Sequence, residues 1–558
     1  MYIGVSAGDL TGNVSVISFL GNLSLICMAI MIIIDIIFLL LLHMNSRILA
    51  IANVLLSLTM FLIMEHAFLK SYFSIAYVWS YSGAGMQLLY KIVAIWAGDA
   101  GSIMTWLMLT TLFVFAYRLK NKDPSDRLFQ TSVCMAQILS LILAIIIIEM
   151  NPFQIDAYYL PGGAGLNPEL MTYYMVLHPL FIFIAYSIFL LPFTVIMAKS
   201  VTRDRKDLQG GYEKKFIQIS MKLGWLVLTV GICIGSYWAR TTLGWNGYWE
   251  WDPVETVSLV PWIFSTSYFH TNSFTGKKER LAHINVALVF ISIVFSSIIT
   301  RGGGIVSVHA FAGGTGLAVF AILSGALVLV LSIYIIFFII DIIGEEYKNR
   351  KILFDDLAYF FLFSMAFICA IGVIVSPLSL LFSASVPIIP GPSFYAKTLL
   401  LPAGGLAITF VFCALLKMYS LKNIALAVIV AMGAFSGCSV VIFFVSGIFI
   451  NPVVVCYALA FLATCIAIRK NIRRSMNLGQ FFKANSRHLI HAGISLILVG
   501  TITTNAAIQD YVFIPGFFLL IAGMLPSLVV SFMKGMPSQE IVPPAPPTPE
   551  EIGASRGR

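Results

Sequence analysis

Tryptophan is concentrated in one short stretch of this 558-residue chain. Five of the nine tryptophans lie within 25 residues, around the string GWNGYWEWDPVET, and these are Trp238, Trp245, Trp249, Trp251 and Trp262. A shelf of aromatic rings can hold a flat apolar ligand through face and edge contacts. The alternative is an interfacial belt, because Trp and Tyr favour the headgroup level of a membrane. A belt needs no fixed spacing, whereas Asp252 and Pro253 predict a helix start with Asp252 as its N-cap.

Four histidines have the chemistry to hold a metal or a haem iron. His270 and His491 lie in two different apolar runs, at similar distances from the ends of those runs. Two imidazoles that face one another from different helices are what bis-histidine haem ligation requires. His178 and His309 flank the tryptophan-rich segment in sequence and share its predicted depth. For any one of these histidines alone, a structural hydrogen bond explains the residue equally well.

The composition restricts the chain to one class of protein. Hydrophobic residues make up 59% of it and charged residues 11%, whereas soluble domains are about 45–50% apolar and about 25% charged. This excludes a water-soluble enzyme, a disordered protein and a nucleic-acid binder. None of the eight cysteines forms a CxxC pair, which excludes a zinc site, a thioredoxin-like motif and a covalently attached c-type haem. We expect the cysteines to be small buried hydrophobes.

Fifteen apolar runs are long enough to cross a bilayer, which takes about 20 residues. They fall at roughly 14–42, 46–68, 100–117, 130–150, 173–198, 219–238, 258–275, 282–300, 313–343, 355–378, 398–418, 423–448, 451–469, 486–506 and 512–533. We therefore predict an all-α polytopic membrane protein with about 15 transmembrane helices over 1–533. The Pro-rich tail, 534–558, predicts a disordered cytoplasmic linker. No basic region precedes the first run, so we expect no cleaved signal peptide.

The distribution of basic residues predicts the orientation. If the N-terminus is outside, the cytoplasmic side receives all of the 34 lysines and arginines except Lys70, Lys91, Arg240, Arg301 and Lys397. This fits the positive-inside rule and predicts an N-out/C-in topology in the plasma membrane. The net charge of +9 then needs no anionic substrate to explain it. The tryptophan-rich loop, about 237–262, falls on the extracytoplasmic face with His178 and His309, and His270 and His491 fall in the inner half.

Several segments resemble, in type and order, the haem-handling family that includes CcmF and CcsA, the cytochrome c synthases. These segments are the tryptophan-rich string GSYWARTTLGWNGYWEWDPVETVSLVPW, FSIAYVWSYS and YKIVAIWAG within 73–98, NPF at 151–153, GLNPEL and LHP within 165–179, TRGGGIVSVHAFA at 300–312 and RHLIHAGISLILVG at 487–500. The resemblance covers roughly 70–500. The fifteen predicted spans fit CcmF better than the smaller CcsA.

The resemblance implies a haem lyase that joins haem vinyl groups to the thiols of an apocytochrome CxxCH on the outer face. It implies that His178 and His309 are the catalytic ligands of the incoming haem, and that His270 and His491 ligate a resident haem b. It implies that the tryptophan loop holds the incoming haem, with Trp245, Tyr248, Trp249, Trp251 and Asp252 as the binding residues. The expected partners are a haem chaperone, the apocytochrome c and thiol-handling assembly subunits, besides membrane lipid. A quinol is an expected electron donor, although no residue specifies a quinol site.

Charged residues near the loop have several interpretations. Arg240 and Arg301 are predicted to pair with haem propionates, because an outer-facing arginine can hold a carboxylate with two hydrogen bonds. Either arginine could instead anchor a helix end. Asp252 and Glu255 could shape the shelf or meet a propionate through a bridging cation.

The chain departs from the family pattern at four places. AGDAGS, with Asp99 and Ala100, stands where members commonly have histidine and glutamate, and Leu180 replaces the second proline of HPP. Glu250 stands where an aromatic residue is more usual, and 507–511 is a short turn where bacterial CcmF tends to carry a soluble outer domain. These differences bear on partner contacts. Two other functions fit the same residues, a haem transporter or exporter and a haem-containing quinol oxidoreductase.

Overall fold

The computed structural model describes residues 7–120, 126–156, 162–202, 212–271, 279–301, 354–381, 388–446, 451–472, 477–503 and 506–533. The helices over these residues are α1 Ala7–Leu41, α2 Arg47–Lys70, α3 Ala76–Tyr81, α4 Leu88–Val93, α5 Asp99–Lys120, α6 Arg127–Met150, α7 Tyr173–Thr202, α8 Tyr212–Thr242, α9 Pro253–Tyr268, α10 Glu279–Arg301, α11 Phe354–Leu381, α12 Pro392–Thr398, α13 Leu400–Leu415, α14 Leu421–Ser446, α15 Pro452–Asn471, α16 Leu478–Ile502 and α17 Ala506–Met533. Two short 3-10 helices cover Ala94–Trp96 and Pro168–Leu170. The prediction of an all-helical architecture is confirmed for these ranges.

Eleven of the described helices are long and apolar enough to cross a membrane, or twelve if the bent pair α12–α13 forms one span. The two helices of that pair meet at an angle of 51°. Two further predicted spans, α9 and α16, are helical but are not among the twelve helices that are long and apolar enough to cross. Helix α9 has only 16 residues. The predicted span 313–343 and the tail 534–558 lie outside the described residues. The total of fifteen spans and the orientation therefore stay predictions.

A buried ion pair joins α1 to α5 inside the bundle. Arg118 donates to the carboxylate of Asp35, with Nη1 2.5 Å from Oδ2 and Nη2 3.1 Å from Oδ1. Gln137 of α6 adds a 2.6 Å hydrogen bond to the same carboxylate, and Asn45 accepts from the Arg118 Nε at 2.7 Å. Both charged side chains are almost completely buried. Buried charges need such complete pairing, because an unpaired one is strongly destabilising.

Helices α16 and α17 approach one another closely through glycine. A Cβ atom added at Gly493 would lie 2.6 Å from the backbone oxygen of Gly516, and one added at Gly516 would lie 2.9 Å from the oxygen of Gly493. Further along α17, the Lys222 amine of α8 donates to Ser527 and Ser531 at 3.2 and 3.0 Å. Helix α17 therefore contacts both α8 and α16.

The cysteines are only partly as expected. Cys134, Cys233, Cys369 and Cys456 are buried, whereas Cys438 and Cys465 are exposed on the surface of the described helices. Both exposed thiols lie on helices of spanning length, where an apolar surface faces lipid rather than water. The prediction that all eight are buried is therefore wrong for these two, because a lipid-facing position accepts a small hydrophobe without protein contacts.

Candidate functional site

A cavity of about 410 Å³ lies where α7, α8, α9 and α10 meet the loop between α8 and α9. Its polar and charged wall includes His178, Glu255 and Arg301. Its aromatic wall is formed by Tyr81, Trp96, Tyr174, Phe183, Tyr186, Trp238 and Trp249. Cofactor and small-molecule sites are of this kind, apolar cavities of about 300–1,000 Å³ with a few convergent polar groups.

His178 of α7 is held in one tautomer by the neighbouring helix. Its Nδ1 lies 2.8 Å from the backbone oxygen of Gly231 on α8. A carbonyl oxygen only accepts hydrogen bonds, so Nδ1 of the neutral ring carries the proton and Nε2 carries the lone pair. Metal-ligating histidines are commonly oriented by such a bond to a backbone carbonyl. The bond to Gly231 therefore fixes the orientation of the His178 ring.

Gly235, one turn further along α8, makes room for this ring. A Cβ atom added there would lie 2.6 Å from Cε1 and 2.7 Å from Nδ1 of His178. Any larger residue would push the imidazole out of its present position, because such distances are well inside van der Waals contact. The sequence analysis did not select Gly231 or Gly235, since a glycine in a helical run carries no chemical signal.

The loop between α8 and α9 contributes Trp249 to the cavity. Its indole Nε1 is buried and has no hydrogen-bond partner in the structure. A buried N–H without an acceptor is costly, which marks a place where a bound molecule could supply one. Trp251 packs against Trp249, with the two rings edge to face and their centroids 6.1 Å apart. Trp251 itself has φ +58° and stacks on Tyr395 of α12 at 4.5 Å.

Two predicted binding residues, Arg240 and Tyr248, are not in the cavity wall. The Arg240 guanidinium pairs with Asp510 of α17, at 2.9 Å from Nε to Oδ1 and 3.1 Å from Nη2 to Oδ2, and it also donates to Gln509. Tyr248 donates to Asp510 Oδ1 at 2.6 Å and stacks on Phe513 at 3.8 Å. The charge of Arg240 is therefore matched within the chain, which agrees with the anchoring interpretation and not with a propionate contact.

Asp252 and Trp245 are also outside the cavity wall. Asp252 is the N-cap of α9, as predicted, and its Oδ1 accepts from the backbone nitrogens of Val254 at 2.9 Å and Glu255 at 3.4 Å. Its role in the structure is to start the helix that carries Glu255 into the cavity. Of the predicted loop residues, only Trp249 lines it.

Arg301, by contrast, lies in the cavity wall as the last described residue of α10. Its side chain is buried, and its guanidinium donates to Ser102 Oγ at 2.5 Å and to Thr300 Oγ1 at 3.3 Å. Tyr81 lies in the same wall, and burial raises its pKa to about 12, with the Asp99 charge adding to the shift. The Tyr81 phenol therefore stays protonated at neutral pH and can donate a hydrogen bond.

His309, predicted to pair with His178, lies outside the described residues.

His270 and His491 are brought together, as their predicted depths permitted. Their ring centroids are 6.3 Å apart and their planes differ by 15°. A metal–nitrogen bond is about 2 Å and a ring nitrogen lies about 1 Å from its centroid, so two imidazoles on one iron have centroids about 6 Å apart. His491 Nδ1 is buried and has no hydrogen-bond partner, and its ring stacks on Phe410 at 4.3 Å. The separation of the two ring centroids is therefore that of two imidazoles on one iron.

Trp96 and Trp238 both line the cavity, although Trp96 was not a candidate from sequence and Trp238 was one only as part of the tryptophan-rich loop. Each indole is fixed by a 3.1 Å hydrogen bond to a backbone oxygen, Trp96 to Met175 and Trp238 to Glu169. Trp96 lies in the YKIVAIWAG motif and Trp238 begins the tryptophan-rich stretch. Those two motifs were the signals that could have found them.

The fold and the cavity define a polytopic helical membrane protein with candidate cofactor sites. Residues 96–305, the segment that carries the tryptophan loop and His178, match the family model described as Cytochrome C assembly protein. The chain is similar to the probable cytochrome c-type biogenesis protein NrfE of Escherichia coli K12, 31% identical over 268 residues that make up 47% of each protein. It is also similar to the cytochrome c-type biogenesis protein CcmF of Escherichia coli K12, 30% identical over 45% of this chain and 39% of the relative.

The alignments span about half the length of these curated relatives, or less. A solved structure named Cytochrome c Heme Lyase CcmF has a similar fold over a longer range. It has a TM-score of 0.64 and 19% sequence identity, and it covers 90% of this chain and 77% of the solved chain. At this identity the likeness concerns the fold alone. Together the matches support the family resemblance.

Proposed function

We propose that the protein is a haem lyase of cytochrome c biogenesis, and that the cavity beside His178 receives the haem that is attached. The observation that carries this proposal is the orientation of His178, whose proton is held at Nδ1 by Gly231, in an aromatic-walled cavity. Trp249 and Arg301 supply a free indole N–H and a positive charge to the same cavity. A haem offers an iron, a flat ring and carboxylates, which match these three groups.

The reaction consists of two additions. Each thiol of an apocytochrome CxxCH adds across one haem vinyl group, so that a C–S bond forms, the S–H bond breaks and its hydrogen goes to the other vinyl carbon. His178 and His309 hold the iron, and the histidine of CxxCH displaces one of them. This exchange brings both thiols beside the vinyl groups, so the catalysis is mainly proximity. Arg301 holds a propionate and fixes the orientation of the ring.

The same proposal assigns the membrane topology. Fifteen spans with the N-terminus outside put the cavity on the extracytoplasmic face of the plasma membrane, where an apocytochrome would meet it. Almost all basic residues then lie on the cytoplasmic side, as the positive-inside rule requires. The haem would arrive on a chaperone and the thiols would be kept reduced by assembly subunits. These partners come from the family resemblance.

His270 and His491 would hold a resident haem b, which supplies one-electron transfer to keep the substrate iron ferrous, with a quinol as the expected donor. The support is the 6.3 Å distance between their ring centroids and the unpartnered His491 Nδ1. Within the protein, each imidazole is carried by a different element, His491 by α16 and His270 by the turn after α9. Their positions therefore depend on helix packing.

Thioether formation is the deciding measurement. The chain, its assembly partners and a CxxCH apocytochrome are produced in a host without its own cytochrome c assembly system, and covalent haem is measured by mass spectrometry. We expect thioethers with the wild type, none with His178→Ala, and normal yield with the control His66→Ala, whose side chain is exposed. Haem delivered without thioethers would instead indicate a transporter. Haem-dependent quinol oxidation alone would indicate an oxidoreductase.

A further inference from the structure

A second cavity, of about 740 Å³, opens where α13 and α15 end and α16 begins. Three cations line it, Lys417 after α13, Lys470 in the last turn of α15 and Arg487 of α16. His488, Asn471 and Gln480 add further nitrogen groups to the wall. Among the described residues, no acidic side chain lines this cavity. The site that contains His178 does not include any of these residues.

His488 lacks the partner that a buried imidazole needs. Its side chain is only 9% exposed, and its Nδ1 is buried without a hydrogen-bond partner. Polar atoms in such positions are nearly always satisfied by protein, water or ligand. An imidazole nitrogen in a cavity wall lined with cations is suited to an oxygen acceptor.

The three cations in the cavity wall repel one another. Lys470 is placed over the Tyr419 ring, with its Nζ 5.7 Å from the ring centroid, and a cation–π contact leaves the charge unchanged. Like charges around one cavity repel, and an anion between them removes that repulsion. The lining therefore favours a group with several negatively charged oxygens. A phosphate group has this chemistry.

The surroundings of the cavity are apolar at the same helix ends. Tyr419, Leu421, Ile472 and Leu478 are 50–73% exposed there. Exposed apolar side chains beside lysines and arginines at the ends of membrane-length helices are typical of the level where headgroups meet acyl chains. Basic pockets between transmembrane helices at this level bind anionic lipid headgroups.

We propose that this cavity binds the phosphate group of an anionic phospholipid, whose acyl chains lie along the exposed apolar side chains at its rim. The cations of three separate helices then meet on one lipid, so the bound lipid ties the ends of α13, α15 and α16 together. The proposal is argued from the lining of this cavity and needs no haem to be bound.

The test uses the purified full-length protein and native mass spectrometry, with phosphatidylglycerol or phosphatidylcholine added at equal concentration. We expect retained phosphatidylglycerol adducts on the wild type and at least a fivefold loss of them in the double variant Lys470→Gln/Arg487→Gln. The matched control, Lys422→Gln/Lys483→Gln, also removes two exposed charges near this end but none from the cavity wall, and it should bind as the wild type does. The exposed single variant Lys470→Gln gives a partial loss if the double variant fails to fold.

Three results would overturn the proposal. Equal phosphatidylglycerol binding by the cavity and control variants would place the lipid elsewhere. Equal retention of phosphatidylcholine would show that charge does not select the lipid. A rise in the thermal midpoint with inorganic phosphate alone, lost in the cavity variant, together with no lipid adduct, would assign the cavity to a free phosphate.

Discussion

Gly235 of α8 tests the role of His178 more directly than replacement of the histidine itself, because it changes the ring's position and not its chemistry. A methyl group at this position would lie 2.6 Å from His178 Cε1, whereas ordinary contact begins at 3.4 Å. In Gly235→Ala the imidazole must therefore move by about 0.8 Å. The 2.8 Å hydrogen bond from Nδ1 to the Gly231 oxygen cannot keep its length during such a shift.

The size of the effect follows from the two disturbances. Adding a methyl group to a packed interior costs about 1–3 kcal/mol of folding stability, and losing the Gly231 hydrogen bond adds about 0.5–1.5 kcal/mol. A reacting group misplaced by about 1 Å can lower a rate about 100-fold. For Gly235→Ala we therefore expect roughly 10- to 100-fold slower thioether formation.

The assay is the initial rate of thioether formation. The rates are compared at equal amounts of folded protein, and size-exclusion chromatography measures those amounts. Gly433→Ala is the matched control, since Gly433 is also helical and a Cβ atom there has open space around it. We expect the control to keep the wild-type rate. If the two glycine variants form thioethers equally fast, the position of the His178 ring does not limit the reaction and the argument fails.

Three further substitutions test other contacts. Asp35→Asn leaves the Arg118 guanidinium buried without its carboxylate, so we expect a loss of about 3–5 kcal/mol of stability, seen as a lower thermal midpoint. Tyr248→Phe removes the hydrogen bond to the charged Asp510, worth about 1.5–3 kcal/mol, and we expect faster proteolysis within the tryptophan-rich loop. His491→Ala removes one of the two close imidazoles, and we expect the b-type signal of the pyridine haemochrome spectrum to be lost.

Each of these variants has a control on an exposed side chain. Glu149→Gln also removes a carboxylate from a spanning helix, Tyr511→Phe also removes a phenolic oxygen, and His43→Ala also removes an imidazole. An equal fall of the midpoint in Glu149→Gln, or equal proteolysis in Tyr511→Phe, would contradict the corresponding explanation. A haem spectrum unchanged in His491→Ala, or absent from the wild type despite haem supply, would remove the resident-haem proposal.

The positions of the helices follow largely from local sequence. Each predicted span that falls within the described residues contains a helix, because a backbone in lipid must satisfy its own hydrogen bonds and an apolar run of about 20 residues does so as a helix. The start of α9 is equally local, since the Asp252 carboxylate caps it and Pro253 fits its first position. The similar depth of His270 and His491 was also predictable, because depth in a membrane follows from distance along a span, whereas their contact depends on helix packing.

The residues that line the cavity could not be predicted in the same way. Tyr248, Trp249 and Trp251 are neighbours in one loop, yet only Trp249 lines it. Tyr248 is drawn to Asp510 and Phe513 on α17, more than 260 residues away. Trp251, at φ +58°, turns onto Tyr395 on α12. In an irregular loop no periodicity sets the direction of a side chain, so distant packing partners decide it.

The sequence by itself determined the class of protein, its helices and the chemical types present at its sites, because hydrophobic length, helix caps and residue chemistry are local properties. Only the tertiary structure decided which of those groups meet. Arg240 and Arg301 have the same side chain, but Asp510 neutralises Arg240 and Arg301 lies in the cavity wall. Their difference arises from helix packing, since α17 brings the Asp510 carboxylate to Arg240 whereas α10 brings Arg301 to the cavity wall.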